Sequence, residues 1–120
     1  MPVRTGQDYL DRLKAHPREV WIRGQRVDDV ASHPAFAKPA AHIAHLYDMQ
    51  HDPRLAAVLT YPSPTTGQPV GTAFMMARTP ADLRQRGAAF RLWAESSFGL
   101  LGRSPDFLNT TVMAFAESPG

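Results

Sequence analysis

Eleven prolines among 120 residues are the strongest constraint on what this chain can fold into. Proline has no backbone N–H and holds φ near one value, so it stops helices and interrupts β-ladders wherever it falls inside them. The chain is therefore cut into short elements with long irregular connections, a pattern suited to a domain that lies against something larger. A compact fold of this size buries about two-thirds of the surface its unfolded form exposes, enough for one core. A single domain over residues 1–120 is expected.

Local signals place the elements between the prolines. Thr5-Gly6-Gln7-Asp8 has capping-box spacing, with Asp where Glu or Gln is usual, and Tyr9, Leu10 and Leu13 follow at helical intervals. This predicts a helix to about His16, stopped by Pro17. Val20-Trp21-Ile22, a turn at Arg23-Gly24-Gln25 and a return through Arg26-Val27 predict a small β-hairpin. From Ser32 a longer helix is predicted, with Phe36, Ala40, Ile43, Tyr47 and Gln50 along one side, ending at His51-Asp52-Pro53. The run from Tyr61 to Pro69 holds three prolines and a glycine, so it is predicted to be a loop without regular structure.

Thr79-Pro80-Ala81-Asp82 is the clearest helix start: a Thr cap, proline at the first helical position, and an acid three residues after the cap. Leu83, Gly87, Phe90, Ala94, Ser97 and Leu101 trace its expected inner face, flanked by Trp93 and Phe98, with Gly99 or Gly102 as its end. Ser104-Pro105-Asp106 repeats the start signature, and Phe107, Leu108, Thr111, Val112 and Phe115 continue helically, so two helices are expected to meet at Gly102-Arg103. The fold class is mainly α with a small β-hairpin near the N-terminus. Trp21, Trp93 and the phenylalanines are expected in the core, with Met75-Met76 filling a gap.

Composition excludes several function classes. Hydrophobic residues at 43% and charged residues at 20% are ordinary for a globular chain. Thirteen Lys plus Arg against 11 Asp plus Glu leaves only +2. The arginines, Arg86 among them, are scattered singly without interleaved aromatics. They read as solvated faces, and no nucleic-acid partner is expected. With no cysteine there is no disulfide, thiolate nucleophile or cysteine-ligated metal or iron–sulfur cluster. No stretch approaches the roughly 20 apolar residues of a membrane span, and the N-terminus carries Arg4 and Asp8, so no membrane partner is expected and the cytoplasm is the default location.

Two constellations could carry chemistry. His42, His45, Asp48 and His51 invite a metal reading, but at about 100° per residue Asp48 is turned well away from the face of His42, and the fourth ligand lies past the helix end. Ordinary surface or core histidines are the better reading, and no metal is expected. In Gly99-Leu100-Leu101-Gly102-Arg103-Ser104-Pro105-Asp106, unpaired N–H groups at a helix start favour negative charge, and Arg103 adds a permanent cation with five donors. That corner suits a phenolate, carboxylate or enolate oxygen. The competing reading has Ser104 merely capping the helix and Arg103 pairing with Asp106 or Glu95.

The runs LYDMQHDP (46–53), LTYPSPTTGQPV (59–70), RTPADLRQRGAAFRLWAESSFG (78–99) and GRSPDFLN (102–109), with the earlier TGQDYLDRL and WIRGQRVDDVASHPAF, resemble the N-terminal region of the 4-hydroxyphenylacetate 3-monooxygenase large-component family. The resemblance covers nearly the whole chain. It implies the helical N-terminal domain of an acyl-CoA dehydrogenase-like fold, in a homo-oligomeric enzyme, a tetramer by resemblance, several times longer than this chain. It further implies an oxygenase component that uses reduced FAD delivered by a separate flavin reductase and inserts one atom of dioxygen ortho to a phenol hydroxyl. Most of the flavin site would lie outside the chain, so its cofactor-binding residues are unassigned and the chain alone is expected to be inactive.

By the same resemblance Arg103 and Phe107 would face the phenolic oxygen, with Ser104 and Asp106 in the same substrate-binding group, and no catalytic residue is assigned here. Phe107 departs from the tyrosine common at that position and cannot donate a hydrogen bond. A related branch, the 4-hydroxybutyryl-CoA dehydratases, binds an iron–sulfur cluster through cysteines that this chain lacks. The alternatives are a non-catalytic helical assembly module and, less favoured, a self-sufficient small binding protein.

Overall fold

The computed structural model describes residues 3–99 and 108–118. It is mainly helical, and its backbone divides into two compact units, Arg4–His51 and the remainder of the chain.

In the first unit, helix α1 (Gly6–Ala15) starts at the capping box expected of it. The Thr5 hydroxyl accepts the Asp8 N–H at 3.1 Å, and the Asp8 carboxylate accepts the Thr5 N–H at 2.8 Å. Strands β1 (Val20–Ile22) and β2 (Gln25–Val27) form the expected hairpin, with Trp21 opposite Arg26. Its two-residue turn has positive φ at both Arg23 (49°) and Gly24 (76°), the primed geometry that matches strand twist. Helix α2 runs over Ala37–Asp48 and passes into a 3-10 turn at Met49–His51.

Helix α2 starts five residues later than Ser32. Asp29 captures the Ala31 N–H and the Ser32 hydroxyl, holding that stretch in turns. Pro39 then falls in the first helical turn, where a missing N–H costs nothing. Ala40, Ala44, Met49 and Val27 are buried, and Tyr9 stacks on Tyr47 with ring centroids 5.4 Å apart. Trp21 is a correction: it is 58% exposed, and its indole N–H donates to the Glu19 carboxylate at 2.8 Å rather than entering the core. A two-stranded ribbon has two faces, and this one turns the aromatic outward.

The second unit contains α3 (Ala56–Leu59), strands β3 (Thr60–Pro62) and β4 (Pro69–Gly71), a 3-10 turn at Thr72–Phe74, α4 (Pro80–Ser96) and α5 (Asn109–Glu117). Here too the prediction needs correcting, because the ends of the proline-rich run are paired strands. Ser63 donates to the Gln68 carbonyl at 2.8 Å, so the adjacent Pro62–Pro69 pair occupies the position of an antiparallel ladder where no N–H is required. The core gathers Leu59, Thr72, Met75, Ala89, Trp93 and Met113. Thr72 is buried because its hydroxyl donates to the Val58 carbonyl at 2.9 Å.

Helix α4 begins with Thr79 as cap, Pro80 inside the first turn and a complete capping box to Asp82. Its buried face is Arg86, Ala89, Trp93 and Ser97, rotated from the expected one, and Leu83 is exposed. The arginine on the inner side disguised the stripe. Phe74, Phe98 and Phe115 are also exposed, and of the methionine pair Met75 is buried while Met76 is not. No helix among the described residues is long and apolar enough to cross a membrane.

Candidate functional site

Arg103, Ser104, Asp106 and Phe107 lie outside the described residues, as do the second helix-start signature and the Gly102-Arg103 junction. What the structure describes is the frame on either side of them. Upstream, α4 closes with Ser97 as C-cap: Phe98 donates to the Glu95 carbonyl at 3.4 Å and Gly99 to the Ala94 carbonyl at 2.8 Å. Gly99, one of the two glycines expected at the helix end, follows the closing residue at φ 78° and completes the cap with its N–H. Phe98 occupies the left-handed position that glycine usually fills, at φ 52°, and is 95% exposed.

Downstream, α5 is tied back to α4 at both ends. The Arg78 guanidinium meets the Glu117 carboxylate in a fork, at 2.5 and 2.9 Å. Eight residues along α4, Arg86 Nη2 donates to the Thr110 hydroxyl at 2.6 Å. The two bonds give the helices opposite directions, with residues 97–108 as the connection. The Arg78–Glu117 pair is half-exposed and contributes little stability. Arg86 is different: only 8% exposed, it lies 5.3 Å from the centroid of the Phe90 ring, and its Nε is buried without a partner among the described residues. Reading it as a solvated arginine was wrong, because the charge sits inside the unit and is held by a hydroxyl and a ring face.

Gln85 was also missed by sequence reasoning. Its amide nitrogen lies 3.2, 3.4 and 3.0 Å from the carbonyls of Ala57, Val58 and Thr60, so its two N–H donors are shared among three acceptors. This latch fixes α4 against the start of β3. It also forms one wall of an open cavity of about 390 Å³, completed by Ala57, Thr60, Tyr61, Pro62, Gly67 and Pro69. No lining residue carries a formal charge. A flavin dinucleotide needs room toward the upper part of the ~300–1,000 Å³ range of ligand sites and a donor or cation for its diphosphate, so this cavity does not fit FAD.

In the first unit the histidine series is spread over separate contacts, with His42 Nε2 buried and without a hydrogen-bond partner among the described residues. His42 and His45 have ring centroids 6.2 Å apart, Asp48 accepts the Gly6 N–H at 2.7 Å, and His51 Nε2 lies 3.1 Å from the Arg4 carbonyl. Among the described residues no three acidic or imidazole groups gather as a metal site. Four aspartates have carboxyls held below their ordinary range: Asp52, brought to about 2 by the Arg54 side chain and backbone; Asp82, by the Arg78 and Thr79 N–H groups; Asp8, by Thr5; and Asp29, by the Ser32 hydroxyl and the Ala31 N–H.

Two helices with a short hairpin between them, followed by an antiparallel pair of helices, define the helical N-terminal domain of an acyl-CoA dehydrogenase-like fold. Residues 5–120 match the model described as "4-hydroxyphenylacetate 3-hydroxylase N terminal", and the chain belongs to that family. It is 45% identical over 116 residues to the 4-hydroxyphenylacetate 3-monooxygenase oxygenase component of Thermus thermophilus, covering 97% of this chain and 24% of that protein. A Streptomyces globisporus monooxygenase acting on a carrier-bound 3-amino-3-(3-chloro-4-hydroxyphenyl)propanoyl group is 45% identical over 86% of this chain and 19% of its own. Among solved structures, a 4-hydroxyphenylacetate 3-monooxygenase oxygenase component complexed with FAD and 4-hydroxyphenylacetate superposes with a TM-score of 0.86 at 45% identity, over 94% of this chain and 23% of that one. The chain spans about a quarter of the length of the relatives it matches.

Proposed function

We propose that this chain acts as one N-terminal domain of the oxygenase component of a two-component, reduced-FAD-dependent aromatic hydroxylase, and that its substrate is a phenol with a substituent para to the hydroxyl. The observation that carries the reading is the 45% identity sustained over 97% of the chain, paired with a TM-score of 0.86 to an oxygenase bound to FAD and 4-hydroxyphenylacetate. Both 4-hydroxyphenylacetate and the 4-hydroxyphenyl group of the Streptomyces substrate carry a carbon chain para to the hydroxyl, which supports the substrate class.

In this reading Arg103 holds the phenolic oxygen. A guanidinium beside a phenol favours the ionised form, lowering its pKa, and the phenolate pushes electron density to the ortho carbon. Ser104, Asp106 and Phe107 complete this side of the pocket. Reduced FAD, supplied by a separate flavin reductase, provides dioxygen activation from a site that the described residues do not form. The enzyme works as a homo-tetramer in the cytoplasm, in the breakdown of aromatic compounds.

Arg103→Ala in the full-length protein tests the assignment. Phenol-dependent product formation falls by about 10²-fold or more, as when an oxyanion donor is removed, while reduced-FAD binding persists. Wild-type turnover in that variant overturns the role. Helix α5 leaves Leu108, Val112 and Phe115 exposed at helical spacing, which favours packing against a larger body. The assembly-module reading therefore prevails if the full-length protein, given FAD and a reductase, makes no product from any phenol.

A further inference from the structure

We infer that Arg86 is a positioning residue for the phenol pocket, acting through Thr110 to fix where α5 begins; the inference rests on the assignment of Arg103 and Phe107 made above. Three observations carry it. The Arg86 side chain is 8% exposed, and no carboxylate pairs with it among the described residues. Its Nη2 donates a 2.6 Å bond to the Thr110 hydroxyl, 24 residues away in the chain. Its Nε stays buried without an acceptor among the described residues.

Among the described residues this buried cation is held by a hydroxyl and a ring, which is a poor device for stability. Removing a guanidinium from water is costly, and an unmet Nε adds to that cost. A methionine of similar length would fill the same space without either penalty, since well-packed apolar replacements of buried charges are often neutral or stabilising. Methionine cannot donate a short, directional, charge-assisted bond to Thr110. Arg86 is also oriented from its own helix, because Phe90 lies one turn farther along α4 with its ring beneath the guanidinium. The donor is thus aimed before it meets α5.

Thr110 stands in the first turn of α5, three residues after Phe107 and seven after Arg103. The upstream side of the same connection is anchored by the cap of α4, where Phe98 and Gly99 donate back to Glu95 and Ala94. Arg86 joins α4 to the start of α5, the two elements that flank the substrate-facing residues in the chain. Pinning of this kind matters to rate because displacement of a binding group by about 1 Å can cost on the order of 10²-fold.

The test uses the full-length protein with reduced FAD and 4-hydroxyphenylacetate, in the variants Arg86→Met, Thr110→Val, Thr110→Ser and the double Arg86→Met/Thr110→Val. Arg86→Met and Thr110→Val each lower kcat/KM for the phenol by about tenfold or more. The double variant is no worse than the poorer single one, because both remove the same bond. Thr110→Ser, which keeps the hydroxyl, restores activity, and reduced-FAD affinity is unchanged throughout. Thr110→Val keeps side-chain volume and carries the test by itself if Arg86→Met does not fold. Wild-type kcat/KM in Thr110→Val overturns the inference, and so does a parallel fall in FAD affinity and thermal stability, the signature of a purely structural role. Arg103→Ala run alongside separates the two failures: if it is inactive while the Arg86 and Thr110 variants are normal, only the positioning role falls; if it is fully active, the pocket assignment falls and takes the positioning role with it.

Discussion

Gly6 and Asp48 meet where α1 begins beside the last turn of α2: the Gly6 N–H donates to the Asp48 carboxylate at 2.7 Å. The approach is so close that a Cβ on residue 6 would lie 2.5 Å from the Ala44 carbonyl oxygen and 2.6 Å from the Asp48 carboxylate. The carboxylate also faces the positive end of the α1 dipole. Gly6→Ala should therefore destabilise the chain by about 1–3 kcal/mol through overpacking against backbone that cannot swing aside. A thermal melt of the variant reads this directly, and an unchanged midpoint would contradict the close approach.

Phe98 offers the opposite case. It sits at φ 52° in the helix-closing position of α4 with 95% of its surface exposed, so its ring buries almost nothing to offset the left-handed backbone. Phe98→Gly should raise stability by on the order of 1 kcal/mol, somewhat reduced by the greater freedom of glycine in the unfolded chain. A lower melting midpoint would mean that the ring makes a stabilising contact.

Acid should weaken the fold in a defined window. Asp52, Asp82 and Asp8 have folded pKa values lowered by hydrogen bonds, Asp52 to about 2. Their stabilising contribution is fully present above the unfolded aspartate value near 3.9 and is lost as pH falls toward the folded values. The urea midpoint should thus be insensitive to these groups between neutral pH and about 5, then decline below about 4. Asp52→Asn together with Asp82→Asn should flatten that decline; an unaltered acid limb would show that other groups govern it.

At position 107 this chain carries phenylalanine where the family resemblance leads one to expect tyrosine. If its position faces the phenolic oxygen, Phe107→Tyr in the full-length enzyme supplies a donor, and one neutral hydrogen bond of about 0.5–1.5 kcal/mol should lower KM for 4-hydroxyphenylacetate by about 2- to 10-fold. Steady-state kinetics at constant reduced FAD measure it. A KM that rises or stays put argues that the side chain at 107 points elsewhere.

The features legible in the residues alone are those whose bonds close within a few positions. Thr5 and Thr79 reach N–H groups three residues on, Arg23-Gly24 needs only its own dihedrals, and Gly99 helps close α4 through a bond to the turn just before it. Such interactions are local, so residue type and spacing suffice to find them. The substrate-facing roles given to Arg103 and Phe107 rest on resemblance alone, and both residues lie outside the described ones.

Tertiary structure alone decided the rest. Arg86 is buried because Thr110 lies 24 residues away to receive it, and Gln85 is a latch because three carbonyls 25 to 28 residues earlier converge on one amide. Trp21 faces outward and Pro62 pairs with Pro69 for the same kind of reason. The burial of a charge, or the face a strand presents, depends on which distant groups arrive to satisfy it. A single sequence carries no local mark of that arrival.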